Sequence, residues 1–135
     1  MPPPATAAAR PAAPSAPVIL LVEASALTRM AVAGYLRDCG YQVVETDGAA
    51  EAKHLLLAGA APQVAFIDLD VEDELGGFGL AQWVRKERPD VKVLLTSGVR
   101  RTAETAGDLC ERGPHLAKPY DHRDLESQIR RLLAT

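Results

Sequence analysis

The sequence predicts an α/β domain in which five parallel strands form one sheet wrapped by five helices, and three observations carry that expectation. From Pro17 onward, short apolar runs alternate with helix-period patterns five times over, the rhythm of βαβ units. The runs are short and strongly apolar, as strands buried beneath helices on both faces must be. Crossovers between parallel strands are right-handed, which makes a doubly wound sheet the natural outcome.

The elements follow in order. Val18–Val22 is the first strand, and a helix begins near Ala26 with Val32, Leu36 and Cys39 at i, i+4 and i+7, one face of a 3.6-residue period. Gly40 stops that helix, as a residue tolerant of left-handed backbone does. Gln42–Glu45 is the second strand, followed from Ala49 by a helix with the stripe Ala52, Leu55, Leu56 and Gly59. Val64–Leu69 is the third strand; its helix begins near Phe78 and closes at Arg88-Pro89-Asp90. Val91–Thr96 is the fourth strand, and the helix beginning near Thr102 is weakly apolar. His115–Lys118 is the fifth, and the last helix begins near His122 with Leu125, Ile129 and Leu132 inward.

At 135 residues, 47% hydrophobic and 24% charged, the chain is expected to form one globular domain, burying roughly two-thirds of its unfolded surface. Met1 to Pro17 are nearly all Pro and Ala around a lone Arg10, so residues 1–17 are expected to be a disordered leader and 18–135 the domain. The leader lacks acids, as transit peptides do, but its prolines oppose an amphipathic helix; Val18–Val22 is too short for a secretory signal. No run has the length of a membrane span. A net charge of −3 and a pI near 5.6 argue against a nucleic-acid partner, which needs a concentrated basic face. Cys39 and Cys110, far apart and in separate helices, are expected to be buried reduced thiols, which suits a cytoplasmic setting.

Functional groups stand at strand ends. Asp68 closes Val64-Ala65-Phe66-Ile67, Thr96 lies in Leu94-Leu95-Thr96-Ser97-Gly98, and Lys118 in Leu116-Ala117-Lys118-Pro119. In an open parallel sheet, ligands bind outside the carboxyl ends of the strands. A carboxylate, a hydroxyl and an ammonium meeting there suit a phosphoryl group, with the carboxylate as nucleophile and the other two binding phosphoryl oxygens.

From Val18 to Leu133 the chain resembles a response-regulator receiver domain of two-component signalling. The resemblance rests on Leu21-Val22-Glu23 at the end of the first strand, then Asp68, Thr96 and Lys118-Pro119 in order. Gly77-Phe78-Gly79-Leu80 is also similar to the family's glycine-leucine entry to the third helix. The resemblance implies the flavodoxin-like strand order 2-1-3-4-5 and a signalling protein rather than an enzyme. Asp68 would take a phosphoryl group from a histidine kinase or phosphotransfer protein, with Thr96 and Lys118 holding the oxygens and the Lys118–Pro119 bond often cis.

The resemblance also implies Mg²⁺, held in the family by a second first-strand acid, the phospho-accepting carboxylate and the backbone carbonyl two residues later. Ala24 stands where that second acid is expected. This leaves Asp68, the Asp70 carbonyl and Glu23 as a longer substitute, a weaker set for an ion that wants octahedral oxygen. The Asp70 carboxylate would either join the metal or, without one, repel an incoming phosphate. Thr96 and the residue three before Lys118 form the family's switch; here the usual Tyr or Phe is His115, either an imidazole filling the aromatic slot or a partly exposed strand residue. The loop from Asp70 to Gly77 is longer than usual, lacks the family's proline, and reads as solvated and mobile.

With the chain ending just after the fifth helix, a single-domain receiver is expected, a monomer or weak homodimer acting on a downstream protein. Its output face would comprise the fourth helix, fifth strand and fifth helix. Arg123, Arg130 and Arg131 lie there, and a solvated helix face is their plainer reading. Two alternatives stand beside this. Ala24 and His115 support a phosphate-independent pseudo-receiver. Ile67-Asp68-Leu69-Asp70-Val71 matches the Asp-x-Asp-x-Val motif of haloacid-dehalogenase-type phosphohydrolases, although that family's nucleophile strand comes first in its core and a later acid pair and a cap are wanting.

Overall fold

Successive side chains on a strand point to opposite faces, and the five strands here divide their apolar residues in that way between two cores. The computed structural model describes residues 15–98 and 114–135. Its elements are β1 (Val18–Val22), α1 (Ala26–Asp38), β2 (Gln42–Thr46), α2 (Ala49–Leu57), β3 (Val64–Asp68), α3 (Gly76–Glu87), β4 (Lys92–Ser97), β5 (His115–Ala117) and α4 (His122–Leu133). The sheet is parallel throughout, in the order β2-β1-β3-β4-β5.

Ile19 and Leu21 of β1, Val64 and Phe66 of β3 and Leu94 of β4 pack against Val32, Ala33 and Leu36 of α1 and Leu125 and Ile129 of α4. The intervening residues Leu20, Val22, Ala65, Ile67 and Leu95 pack on the other face against Ala49, Ala52 and Leu56 of α2 and Leu80, Ala81 and Val84 of α3. This is the doubly wound arrangement. Each fully buried Leu, Ile or Phe contributes on the order of 1.5–3 kcal/mol of transfer free energy, so neither helix layer is dispensable.

Caps set the helix boundaries. The Ser25 hydroxyl accepts from the Thr28 N–H to begin α1, and the Asp121 carboxylate accepts from the Arg123 N–H to begin α4. Gly40, at φ 101°, turns the chain after α1 in the left-handed region that glycine enters at little cost. The α2 N-cap is Gly48, which has no side chain to serve; its orphan N–H groups are met from a distant loop, described below.

The expected strands and helices recur with shifts at their ends. β2 and β4 run one residue further, to Thr46 and Ser97, β4 starts at Lys92, β3 stops at Asp68 and β5 at Ala117, and α3 begins at Gly76 rather than Phe78. The helix expected near Thr102 and Cys110 lie outside the described residues. Cys39 corrects the sequence expectation: it is exposed. Helix α1 ends one residue before it, and Ala33 and Leu36 fill the core instead.

Candidate functional site

The same two-residue period that divides the core also gathers the site. Glu23 continues the row Ile19-Leu21, Asp68 the row Val64-Phe66, and Thr96 the row that contains Leu94, so all three project from one face. Strand register brings them level, with Val22 opposite Ile67 and Asp68 opposite Thr96. Lys118 follows directly after β5, anchored by its N–H donating to the Ser97 carbonyl, and precedes a cis bond to Pro119.

Asp68 is only 3% exposed. Its Oδ2 accepts from Lys118 Nζ at 2.9 Å, and its Oδ1 from the Asp70 N–H at 2.8 Å. A buried carboxylate needs such partners, because an unpaired one costs several kcal/mol or more. Thr96 lies beside it with a buried Oγ1 that has no hydrogen-bond partner among the described residues. Orphan buried hydroxyls are rare, and this one adjoins the Asp68 carboxylate.

Glu23 is 5% exposed, and its Oε2 accepts from the Ser25 N–H at 3.0 Å. Burial raises its pKa above the ordinary carboxylate value, the Ser25 N–H and Lys118 pull it down, and the adjoining Asp68 carboxylate pushes it up. Lys118 is the counterpart. Burial alone would lower it, but Asp68 and then Asp70 outweigh that and hold its ammonium above the ordinary value.

The Asp70 side chain meets Lys118 as well. Its Oδ2 accepts from Lys118 Nζ at 3.2 Å and from the Gly98 N–H at 2.8 Å. Among the described residues no three His, Cys, Asp or Glu side chains form a metal cage. Mg²⁺, however, commonly takes one or two carboxylates and keeps several waters. The facing acids Glu23 and Asp68, whose mutual repulsion a cation would relieve, fit it on those terms. Ala24 is exposed at the position of the expected second acid.

His115 is half-buried, with Nε2 at 2.8 Å from the Ser97 hydroxyl, one residue beyond Thr96. Burial lowers its pKa and Asp70 acts against that shift. The loop after β3 corrects another expectation, since it is only partly solvated. Val71 is buried at 4% exposure, while the Asp73 carboxylate accepts from Gly76 N–H at 2.7 Å and from Ala50 N–H at 2.9 Å. Asp73 thus caps both α3 and α2, for which Gly48 supplies no cap. Burial opposes its charge, but the Ala50, Gly76 and Ala49 N–H groups outweigh that and lower its pKa. On α4, Arg123 pairs with Asp121 and Arg130 with Glu126, both arginines being exposed, in keeping with a solvated face.

One feature escaped the sequence reading. Tyr120 packs edge-on against Phe66, their centroids 5.7 Å apart, and its buried hydroxyl has no partner among the described residues. With Glu23, Ser25, Thr28 and Lys118 it lines a cleft of about 520 Å³. Its place two residues after Lys118 was the available signal. Gly77, which the sequence placed at the entry to the third helix, is packed so close to the Asp68 backbone that a Cβ there would lie 2.2 Å from the Asp68 carbonyl oxygen.

The family model described as response regulator receiver domain matches residues 19–130. A curated relative, a probable transcriptional regulator ycf27 of Pyropia yezoensis, is 27% identical over 123 residues, covering 85% of this chain and 46% of the relative; the chain therefore spans about half of that protein. Among solved structures, a response regulator receiver protein from Sinorhizobium medicae superposes with a TM-score of 0.81 at 25% identity, covering 90% of this chain and 97% of the other. One from Pseudomonas putida gives 0.77 at 29% identity, covering 88% and 99%. The receiver domain of NtrX from Brucella abortus gives 0.76 at 28%, covering 87% and 98%.

Proposed function

The chain belongs to the response regulator receiver domain family, and on that premise we propose that it is a phosphorylatable switch whose acceptor is Asp68. The observation that carries this reading is the pairing of Asp68 with Lys118 at 2.9 Å, beside the Thr96 hydroxyl, which has no hydrogen-bond partner among the described residues. Asp68 attacks the phosphorus of a histidine kinase, a phosphotransfer protein or a small acyl phosphate. A P–O bond to Asp68 forms as the bond to the donor's nitrogen or oxygen breaks. The Lys118 ammonium then stabilises the phosphoryl oxygens, and the Thr96 hydroxyl donates to one of them.

Glu23, Asp68 and the Asp70 carbonyl would hold Mg²⁺, which when bound neutralises charge on the phosphoryl oxygens. Thr96 and His115 form the switch: when the Thr96 hydroxyl moves to the phosphoryl group, the neighbouring Ser97–His115 contact is the next to adjust. The charge gained at Asp68 biases two arrangements of the surface around β5 and α4, and a downstream protein in the cytoplasm reads the change. Leu27 and Met30 of α1, 82% and 64% exposed, offer an apolar contact for the donor protein beside the cleft that contains Lys118.

Incubation with a small acyl phosphate and Mg²⁺ should add one phosphate to wild type and none to Asp68→Asn, read by intact mass. Equal labelling of the two proteins refutes the reading. Full signalling by Asp68→Asn would favour the phosphate-independent pseudo-receiver.

A further inference from the structure

We propose that the Asp70 carboxylate is a built-in brake, an anion lodged in the phosphoryl pocket that competes with the phosphoryl group for Lys118 and so limits how readily Asp68 takes it. This rests on the reading of Asp68 as acceptor and deepens it. A single oxygen, Asp70 Oδ2, accepts from both Lys118 Nζ at 3.2 Å and the Gly98 N–H at 2.8 Å. Lys118 is the donor that stabilises the phosphoryl oxygens when Asp68 is the acceptor. Asp70 is joined to the acceptor itself, its N–H donating to Asp68 Oδ1 at 2.8 Å, so the two carboxylates cannot separate far. Gly98 is packed against the same oxygen, where a Cβ would approach to 3.3 Å.

The ammonium is therefore shared between two carboxylates before any donor arrives. When the P–O bond to Asp68 forms and the acyl carboxylate leaves, the pocket gains a group carrying about −1.5 to −2 charges. Lys118 must turn from Asp70 to that group, leaving Asp70 close to a like charge. Removing one negative charge at this range is worth about a tenfold change in equilibrium or rate, even with aqueous screening.

Asp70→Asn tests this, because it keeps the shape and the acceptor for Gly98 N–H while deleting the charge. The expected result is about tenfold faster phosphorylation by a small acyl phosphate and about tenfold tighter binding of beryllofluoride, with a lower Lys118 ammonium pKa by NMR. Asp70→Ser repeats the Asn result should the Asn protein misfold. Unchanged rates and beryllofluoride affinity in folded Asp70→Asn make Asp70 a structural clamp only and overturn the proposal. Slower phosphorylation with weaker Mg²⁺ binding overturns it too, by making the carboxylate a metal ligand. Asp68→Asn run alongside separates the two claims. If it stays unlabelled while wild type and Asp70→Asn label equally, the brake fails and the acceptor stands; labelling of Asp68→Asn, or of no protein at all, removes both.

Discussion

Gly77→Ala tests how tightly helix α3 is built onto the end of β3 that carries Asp68. A Cβ at Gly77 would lie 2.2 Å from the Asp68 carbonyl oxygen and 2.8 Å from Leu69 Cα. These are backbone atoms at the end of a central strand and have no rotamer with which to yield, so helix or strand end must move by roughly 1 Å. Overpacking of this kind costs about 1–3 kcal/mol; with two backbone atoms in the way we take about 3, offset by about 1 for replacing a helical glycine with alanine. The net loss of about 2 kcal/mol lowers Tm by roughly 6–10 °C for a domain of this size. Because the moved atoms carry Asp68, its phosphorylation under the proposed function should slow by about a hundredfold. Gly34→Ala in α1 is the control: nothing lies within 4 Å of its Cβ, and it should gain about 0.5–1 kcal/mol. Thermal and urea denaturation followed by circular dichroism measure both. If Gly77→Ala is as stable as wild type, or gains as Gly34→Ala does, the argument from close packing is wrong.

Asp73→Ala should cost about 1 kcal/mol in urea denaturation, the usual worth of a lost helix cap. Because the native Asp73 pKa is lowered, its contribution is complete above the unfolded value of about 3.9 and disappears as pH falls through the lower native value; the gap between variant and wild type should therefore be full at neutral pH and shrink in acid. A gap that widens below about pH 4 contradicts that sign. Ala24→Asp supplies the second acid beside Glu23, and one added charge about 4 Å from a divalent ion should tighten Mg²⁺ roughly tenfold or more, read by Trp83 fluorescence titration. No change in Mg²⁺ affinity would remove Ala24 as the cause of a weak site.

Much of the fold was legible because it rests on local pattern. Runs such as Val18–Val22 and Val64–Asp68 declare buried strands by composition, and Leu125 with Ile129 declares an inward helix face by spacing. Errors fell where local pattern and tertiary packing part company. Cys39 fits the α1 stripe, but the helix ends before it. The acidic loop after Asp68 reads as solvent-facing, but Asp73 turns to the starts of α3 and α2, and the α2 N-cap, Gly48, has no side chain to serve it.

By itself the sequence determined that Asp68, Thr96 and Lys118 stand at the carboxyl edges of three strands, since strand identity and the order of residues along a strand are properties of neighbours in the chain. Only the tertiary structure decided what those edges face. Strand register placed Asp68 opposite Thr96, the shared row direction brought Glu23 to them, and the Asp70 carboxylate reached Lys118, 48 residues away. Such partners meet across the sheet through packing of both helix layers, and no periodicity along the chain encodes which charge will stand beside which.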